Sequence, residues 1–218
     1  MKLLAINGSP RKKCNTATLL KKALEGAESK SAETELINLY DLDYKGCKSC
    51  FACKTRGSRS YGKCNVVDDL TEVIEKFEES DAVIFGSPIF FGTVTGEMRS
   101  FMERLKFPYY TYTDPPQSLY PKKINTGFIY TMNVTEEQQK LLSYNIHFKS
   151  IEYYLKSIFG PTESLFSFDT YQFKDYSKVV ADRFDQGQKA KTHREIFPKD
   201  CKKAFEMGAR FAQITYAI

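Results

Sequence analysis

Four of the six cysteines, Cys47, Cys50, Cys53 and Cys64, are crowded between positions 47 and 64. Their spacing, C-x2-C-x2-C-x10-C, offers four soft thiolates, a donor set suited to a [4Fe-4S] cluster or a tetrahedral zinc. Thiols without metal and a disulfide-forming pair are the other readings of the same pattern. Cys14 and Cys201 stand apart. His147 falls in a helical pattern and His193 in a basic stretch, where solvation or local hydrogen bonding is the expected role. With no Ser-His-Asp or H-E-x-x-H arrangement, hydrolysis has little support.

A second chemical feature occurs twice. GSPRKKCNTATLL (8–20) and GSPIFFG (86–92) each follow an apolar run and precede a helical pattern. In the first loop Ser9, Arg11, Asn15 and Thr16 can join the amides of a helix start in stabilising an anion. The plainer reading is that Asn15 caps the helix and the basic residues are solvated. The loop lacks both G-x-G-x-x-G and G-x-x-x-x-G-K-[ST], so a single terminal phosphate suits it better than a dinucleotide or a nucleoside triphosphate. The second loop is apolar apart from Ser87 and held extended before Pro88. A planar heteroaromatic ring could lie against it; otherwise it is a tight strand-to-helix turn with Phe90 and Phe91 in the core or at an interface.

These loops need elements to place them. KLLAI (2–6) reads as a buried strand, Thr16 to Lys30 as a helix with an apolar stripe, and ETELINL (33–39) as a second strand. A helix over 68–79 begins at Asp68-Asp69, at the positive end of its dipole. DAVIFGSP (81–88), NTGFIYTM (125–132) and SLFSF (164–168) are three more strands. Helices are expected over 96–106, 136–159 without interruption, and 199–216, with a short one over 178–191. Strands alternating with helices imply an α/β fold: a flavodoxin-like, doubly wound, five-stranded parallel sheet of order 2-1-3-4-5 with helices on both faces. In such sheets ligands bind beyond the carboxyl ends of the strands, where the winding reverses between the first and third. The two loops should meet there, and together they suit a flavin mononucleotide, phosphate at the first and ring at the second.

Composition bounds the rest. A chain of 218 residues with 42% hydrophobic and 27% charged residues fits one globular domain, 1–218, with no linker in view. The net charge of +5 is spread thinly, which argues against nucleic acid as a partner. No apolar run is long enough for a signal or a membrane helix, so the cytoplasm is the expected compartment.

The motifs GSPRKKCNT (8–16), CKSCFACK (47–54), GKCNVVDDL (62–70) and SPIFFGTVTGEMRSFMER (87–104) together resemble the flavodoxin-like NAD(P)H-dependent FMN reductase superfamily, in the branch related to iron-sulfur flavoproteins. The resemblance covers roughly the first 130 residues. It implies that Ser9, Arg11, Asn15 and Thr16 hold the FMN phosphate. Pro88, Ile89, Phe90, Phe91 and Gly92 would line the ribityl chain and ring, with Ser87 nearby, and Thr131, Met132 and Asn133 would border the pyrimidine end. It further implies electron transfer from NADH or NADPH to a quinone, nitro compound, flavin or other small acceptor, and a homodimer or homotetramer, with 107–113 near a partner. The alternative within the resemblance is an electron carrier serving a protein partner through FMN and a [4Fe-4S] cluster on Cys47, Cys50, Cys53 and Cys64. Relatives of that kind place the fourth cysteine sooner; here KTRGSRSYGK intervenes.

Overall fold

The computed structural model describes residues 1–214. The apolar run at the start forms β1 (Lys2–Asn7), whose residues alternate between two cores. Leu4 and Ile6 face one side of the sheet, Leu3 and Ala5 the other, and all four are fully buried. Burial on both faces explains why β1 reads as a continuous apolar run, as expected of a parallel strand covered on each side.

β1 pairs in parallel with β2 (Glu33–Asn38) and β3 (Ala82–Phe90), and β3 continues the sheet to β5 (Asn125–Thr131) and β6 (Thr162–Ser167). The order is β2-β1-β3-β5-β6, and β4 (Thr93–Val94) pairs with β3 alone, antiparallel. The expectation of five strands is therefore corrected to six. The third strand runs past Ser87 to Phe90 and folds back on itself as a hairpin, which a reading of one apolar run ended by Gly-Ser-Pro could not anticipate.

One face carries α2 (Leu70–Glu79), α3 (Gly96–Tyr109) and α5 (Asn145–Phe159), packed through Phe77, Phe101 and Phe159 against Phe85 and Phe128 of the sheet. The opposite face carries α1 (Asn15–Glu28) and α7 (Phe197–Phe211). These two cross at backbone contact. A methyl group on Gly26 would overlap the Phe205 carbonyl, and one on Gly208 the Ala23 carbonyl. The carboxyl-terminal helix thus braces the helix that begins at the first loop.

The uninterrupted helix expected over 136–159 is broken into α4 (Glu136–Leu141) and α5 at Ser143, which takes φ 56°. The break directs Tyr144 toward the hairpin, where a Cβ on Gly92 would stand 3.0 Å from its ring. Between β6 and α7 lies α6 (Gln186–Glu195), later than the 178–191 expected, after a single turn at Tyr176–Lys178. The last helix ends at Phe211, so the expected extension is corrected over 212–214, where the chain turns out of the helix, and its remainder to Tyr216 falls outside the described residues. Among the described residues no helix is long and apolar enough to cross a membrane.

Candidate functional site

Because β1, β3 and β5 are neighbours, the three segments that follow them share one end of the sheet. The Gly8 amide donates to the Gly86 carbonyl at 2.8 Å, and the Thr95 hydroxyl donates to the Gly8 carbonyl at 2.7 Å. Thr95 also caps α3, accepting from the Met98 amide at 3.3 Å. One threonine therefore joins the first loop to the helix after the second. The Thr16 and Thr131 hydroxyls, both buried, meet at 2.7 Å and join the first loop to the third.

The first loop ends at Cys14, not Asn15, as the N-cap of α1, and no side chain caps that helix. Its first amides are thus left for another acceptor, and with no acidic residue in the first turn the positive end of the dipole is uncompensated. Buried Ser9 shapes the approach: its amide donates to Asn7 Oδ1 at 3.0 Å and its hydroxyl accepts from the Arg11 amide at 3.2 Å. Arg11 Nη1 donates to the Gln172 carbonyl at 2.7 Å, and Asn15 Nδ2 to the Tyr171 carbonyl at 2.9 Å. Each keeps further N–H groups free of these bonds, since a guanidinium has five and a carboxamide two. Lys12 pairs with Asp41.

The second segment is a two-residue hairpin turn. Phe91 (φ 50°) and Gly92 (φ 86°) both occupy left-handed conformations, the type I′ geometry that suits a twisted hairpin. Glycine takes it freely, whereas phenylalanine is strained by about 1 kcal/mol. Phe91 is also fully exposed and Phe90 half-exposed. Strained backbone of this kind clusters at active sites and ligand clamps, and this turn stands at the reversal point of the sheet. Pro88 and Ile89 lie in the strand leading to it, and Ser87 is wholly buried, accepting from the Thr95 amide at 3.1 Å and donating to the Pro88 carbonyl at 2.8 Å. The hydroxyls of Ser87 and Thr16 hold the loops together and do not face the crevice.

In the third segment Met132 is buried, and its carbonyl accepts from the Thr170 amide at 3.0 Å. Asn133 offers its carbonyl to Lys189 Nζ at 2.9 Å, while its buried Oδ1 has no partner. Buried acceptors are rarely left so, and one beside the proposed ring site fits a donor edge of a bound heterocycle. Lys189 is itself buried and pairs with Asp169 at 2.7 Å, so residues 169–173 are fastened across this end of the sheet. Neither residue carried a sequence signal beyond an ordinary surface charge.

The four cysteines line one pocket with Phe51, Arg104 and Phe107. The long interval between the third and fourth is closed locally. The Gly62 amide donates to the Cys53 carbonyl at 3.0 Å, so the chain returns Cys64 to the neighbourhood of Cys53. Two cations fasten the excursion. Lys54 Nζ donates to the carbonyls of Phe107, Pro108 and Tyr110, at the negative end of α3. Arg104, its side chain only 1% exposed, donates to Cys64 Sγ at 3.0 Å, to the Lys45 and Val66 carbonyls at 3.1 Å each, and to both oxygens of Asp68 at 2.7 and 3.1 Å. Burial opposes the charge on Arg104, but Asp68 and Cys64 outweigh it and raise the pKa. Burial pushes the Cys53 thiol up. Sequence reading missed Arg104, which lies at the edge of the Phe101–Leu105 stripe like many exposed arginines.

The donor chemistry of this pocket fits a soft metal. Among the described residues no three potential ligands yet converge on one ion position, and the free space is about 20 Å³, room for about one water molecule. Four sulfurs on a single zinc would lie within about 4 Å of one another.

Volume alone does not mark the crevice at the strand ends. A concavity of about 730 Å³ lies at the opposite end of the sheet beside Asp81, Ile124 and Gly160. Topology and convergent donors make the strand ends the candidate site, where space alone does not.

Residues 1–137 match the family model described as NADPH-dependent FMN reductase. An iron-sulfur flavoprotein of Methanocaldococcus jannaschii is 38% identical over 104 residues, covering 48% of this chain and 51% of that protein. One from Archaeoglobus fulgidus is 43% identical over 104 residues, covering 48% of each. The chain spans about half the length of the curated relatives it matches. Among solved structures, an NAD(P)H:quinone oxidoreductase from Methanothermobacter marburgensis superposes with a TM-score of 0.72 at 13% identity, over 96% of this chain and 98% of that one. An azoreductase from Bacillus anthracis gives 0.68 at 14%, over 97% and 100%. At these identities the likeness is one of fold.

Proposed function

The chain belongs to the NADPH-dependent FMN reductase family, and we propose that it is an FMN-dependent oxidoreductase carrying reducing equivalents from NADH or NADPH to a small acceptor such as a quinone, a nitro compound or a flavin. The observation that carries this reading is the uncapped start of α1, with Arg11 and Asn15 beside it, next to the strained and exposed Phe91 turn at the reversal of the sheet. FMN, when bound, supplies the hydride chemistry. The chain's own residues bind and orient it. The amides that open α1, Arg11 and Asn15 hold a terminal phosphate, Phe90, Phe91 and Gly92 cover the ring, and Asn133 Oδ1 accepts from its polar edge. Ser9, Thr16, Ser87 and Thr131 keep the three loops in register, and Pro88, Ile89 and Met132 form the apolar floor. We read residues 1–218 as one cytoplasmic domain that assembles as a homodimer or homotetramer.

Protein purified without oxygen and mixed with FMN tests this. One FMN per chain, bleaching on addition of NADH or NADPH, and at least tenfold weaker binding in Arg11→Ala and Asn15→Ala are expected. A chain that binds no FMN overturns the reading.

A second reading, an iron-sulfur flavoprotein electron carrier, is favoured by the single pocket that Cys47, Cys50, Cys53 and Cys64 line despite their uneven spacing. Four iron and four sulfide per chain in the same preparation would support it, and neither would refute it.

A further inference from the structure

Beside the cysteine pocket, and sharing Cys47, Glu103 and Phe107 with it, lies a separate recess of about 470 Å³. It opens between the cysteine loop, the second half of α3, the chain after it, and α5. Its size is within the range of small-molecule sites, roughly 300 to 1,000 Å³. It is also remote from the flavin crevice, because the twelve residues of α3 from Gly96 to Phe107 span about 16 Å.

Four aromatic rings wall this recess: Phe107, Tyr110, Tyr112 and Tyr154. They are set in two perpendicular pairs. Phe107 and Tyr112 meet edge to face at 5.9 Å and 84°, and Tyr110 and Tyr154 do so at 5.5 Å and 84°. Such pairs hold ring faces at fixed angles, and a further planar ring can stack on one while meeting the edge of another.

The polar content is one-sided. Lys106 lines the recess with its Nζ 5.5 Å over the Tyr154 ring, and among the described residues it forms no ion pair. The carboxylate on the rim, Glu103, is turned to Arg99 at 3.5 Å. A second cation, Lys54, is pinned by carbonyls with its Nζ 4.9 Å from the Phe107 ring and 5.6 Å from that of Tyr112. Burial, reinforced by Arg99 and only partly offset by Glu103, lowers the Lys106 pKa to about 8, as expected for an ammonium stripped of water without a paired counter-charge. An anion placed there restores what burial removes.

We propose that this recess is a second ligand site, independent of the flavin crevice, that takes a planar aromatic anion with its ring against the tyrosines and its charged group on Lys106. The recess needs both halves of such a ligand. A neutral ring leaves Lys106 uncompensated, and a small anion leaves the ring walls wet.

The test is calorimetric titration of the full chain, with and without saturating FMN, using naphthalene-2-sulfonate, the uncharged 2-naphthylmethanol and methanesulfonate. Naphthalene-2-sulfonate should bind one per chain, at least tenfold more tightly than either control and equally with and without FMN. Lys106→Met should lose at least tenfold, Lys106→Arg should keep most of the affinity, and Tyr154→Ala should weaken binding severalfold, all with unchanged melting cooperativity and FMN affinity. Equal affinity for the uncharged probe, undiminished binding by Lys106→Met, or displacement by FMN overturns the proposal. So does absence of binding in a dimer whose Tyr112 is shielded from solvent, which would make the recess a contact between two copies.

Discussion

Replacing Arg104 by methionine tests whether one buried cation organises the cysteine loop. The guanidinium is 1% exposed and makes five bonds, all to residues 45–68. Methionine fills much of the same volume, so the loss is chiefly polar. Breaking a buried pair costs about 3–5 kcal/mol when the partner charge is stranded. Asp68 keeps 18% of its side chain exposed and recovers some of its hydration, while two carbonyls and a thiol lose their donor. The balance is a loss of about 3 kcal/mol, a large share of the ~5–15 kcal/mol typical of a folded domain. Urea unfolding at pH 7 measures it, with Asp68→Asn costing about 2 kcal/mol and the double variant coupled by at least ~1.5 kcal/mol. Hydrogen exchange should quicken at the Gly62 amide, whose bond to Cys53 depends on the loop being held. A loss under ~1 kcal/mol, or effects of the two single changes that simply add, refutes the argument.

Other outcomes follow from single contacts. Gly208→Ala forces a methyl group into the Ala23 carbonyl across the α1–α7 crossing and should lower stability by about 2–4 kcal/mol, read as a fall in melting temperature. Thr16→Val strands the buried Thr131 hydroxyl, costing about 1–2 kcal/mol in urea, yet should change FMN affinity far less than Arg11→Ala because the Thr16 hydroxyl faces Thr131. Lys106 is lowered from 10.5 to about 8, so below pH 8 the folded chain carries an ammonium that is better hydrated when unfolded. Lys106→Met should therefore be more stable than the parent at pH 7 by about 1–3 kcal/mol. Unfolding followed across pH should show that gain shrinking from pH 8 and vanishing near 10.5.

Much of the architecture was legible because burial on two faces writes itself into a parallel strand as an unbroken apolar run. KLLAI and DAVIFG are read correctly for that reason, and with them the loops that must share the reversal point. The errors have local causes. Three residues, Leu142–Tyr144, separate α4 from α5 although their combined pattern reads as one helix, since a left-handed Ser143 has no compositional mark. The hairpin at Phe91-Gly92 lacks the Asn-Gly signal its geometry usually carries, because phenylalanine occupies the strained position.

From the sequence alone come the family, the parallel α/β sheet, the pairing of the GSPRKKCNT loop with an aromatic one, and the presence of four thiols. These depend on residue type and short-range spacing, which persist in a linear string. Only the tertiary structure decided that Ser87 and Thr16 face inward and that α1 starts after Cys14 with no side chain capping it. It also decided that residues 169–173 close over the first loop, and that Arg104 and Lys54 bring Cys64 back across KTRGSRSYGK to its fellows. Each of those rests on a contact between residues tens of positions apart. Whether a polar side chain meets a partner or a ligand there depends on how the sheet and its helices bring those distant residues together.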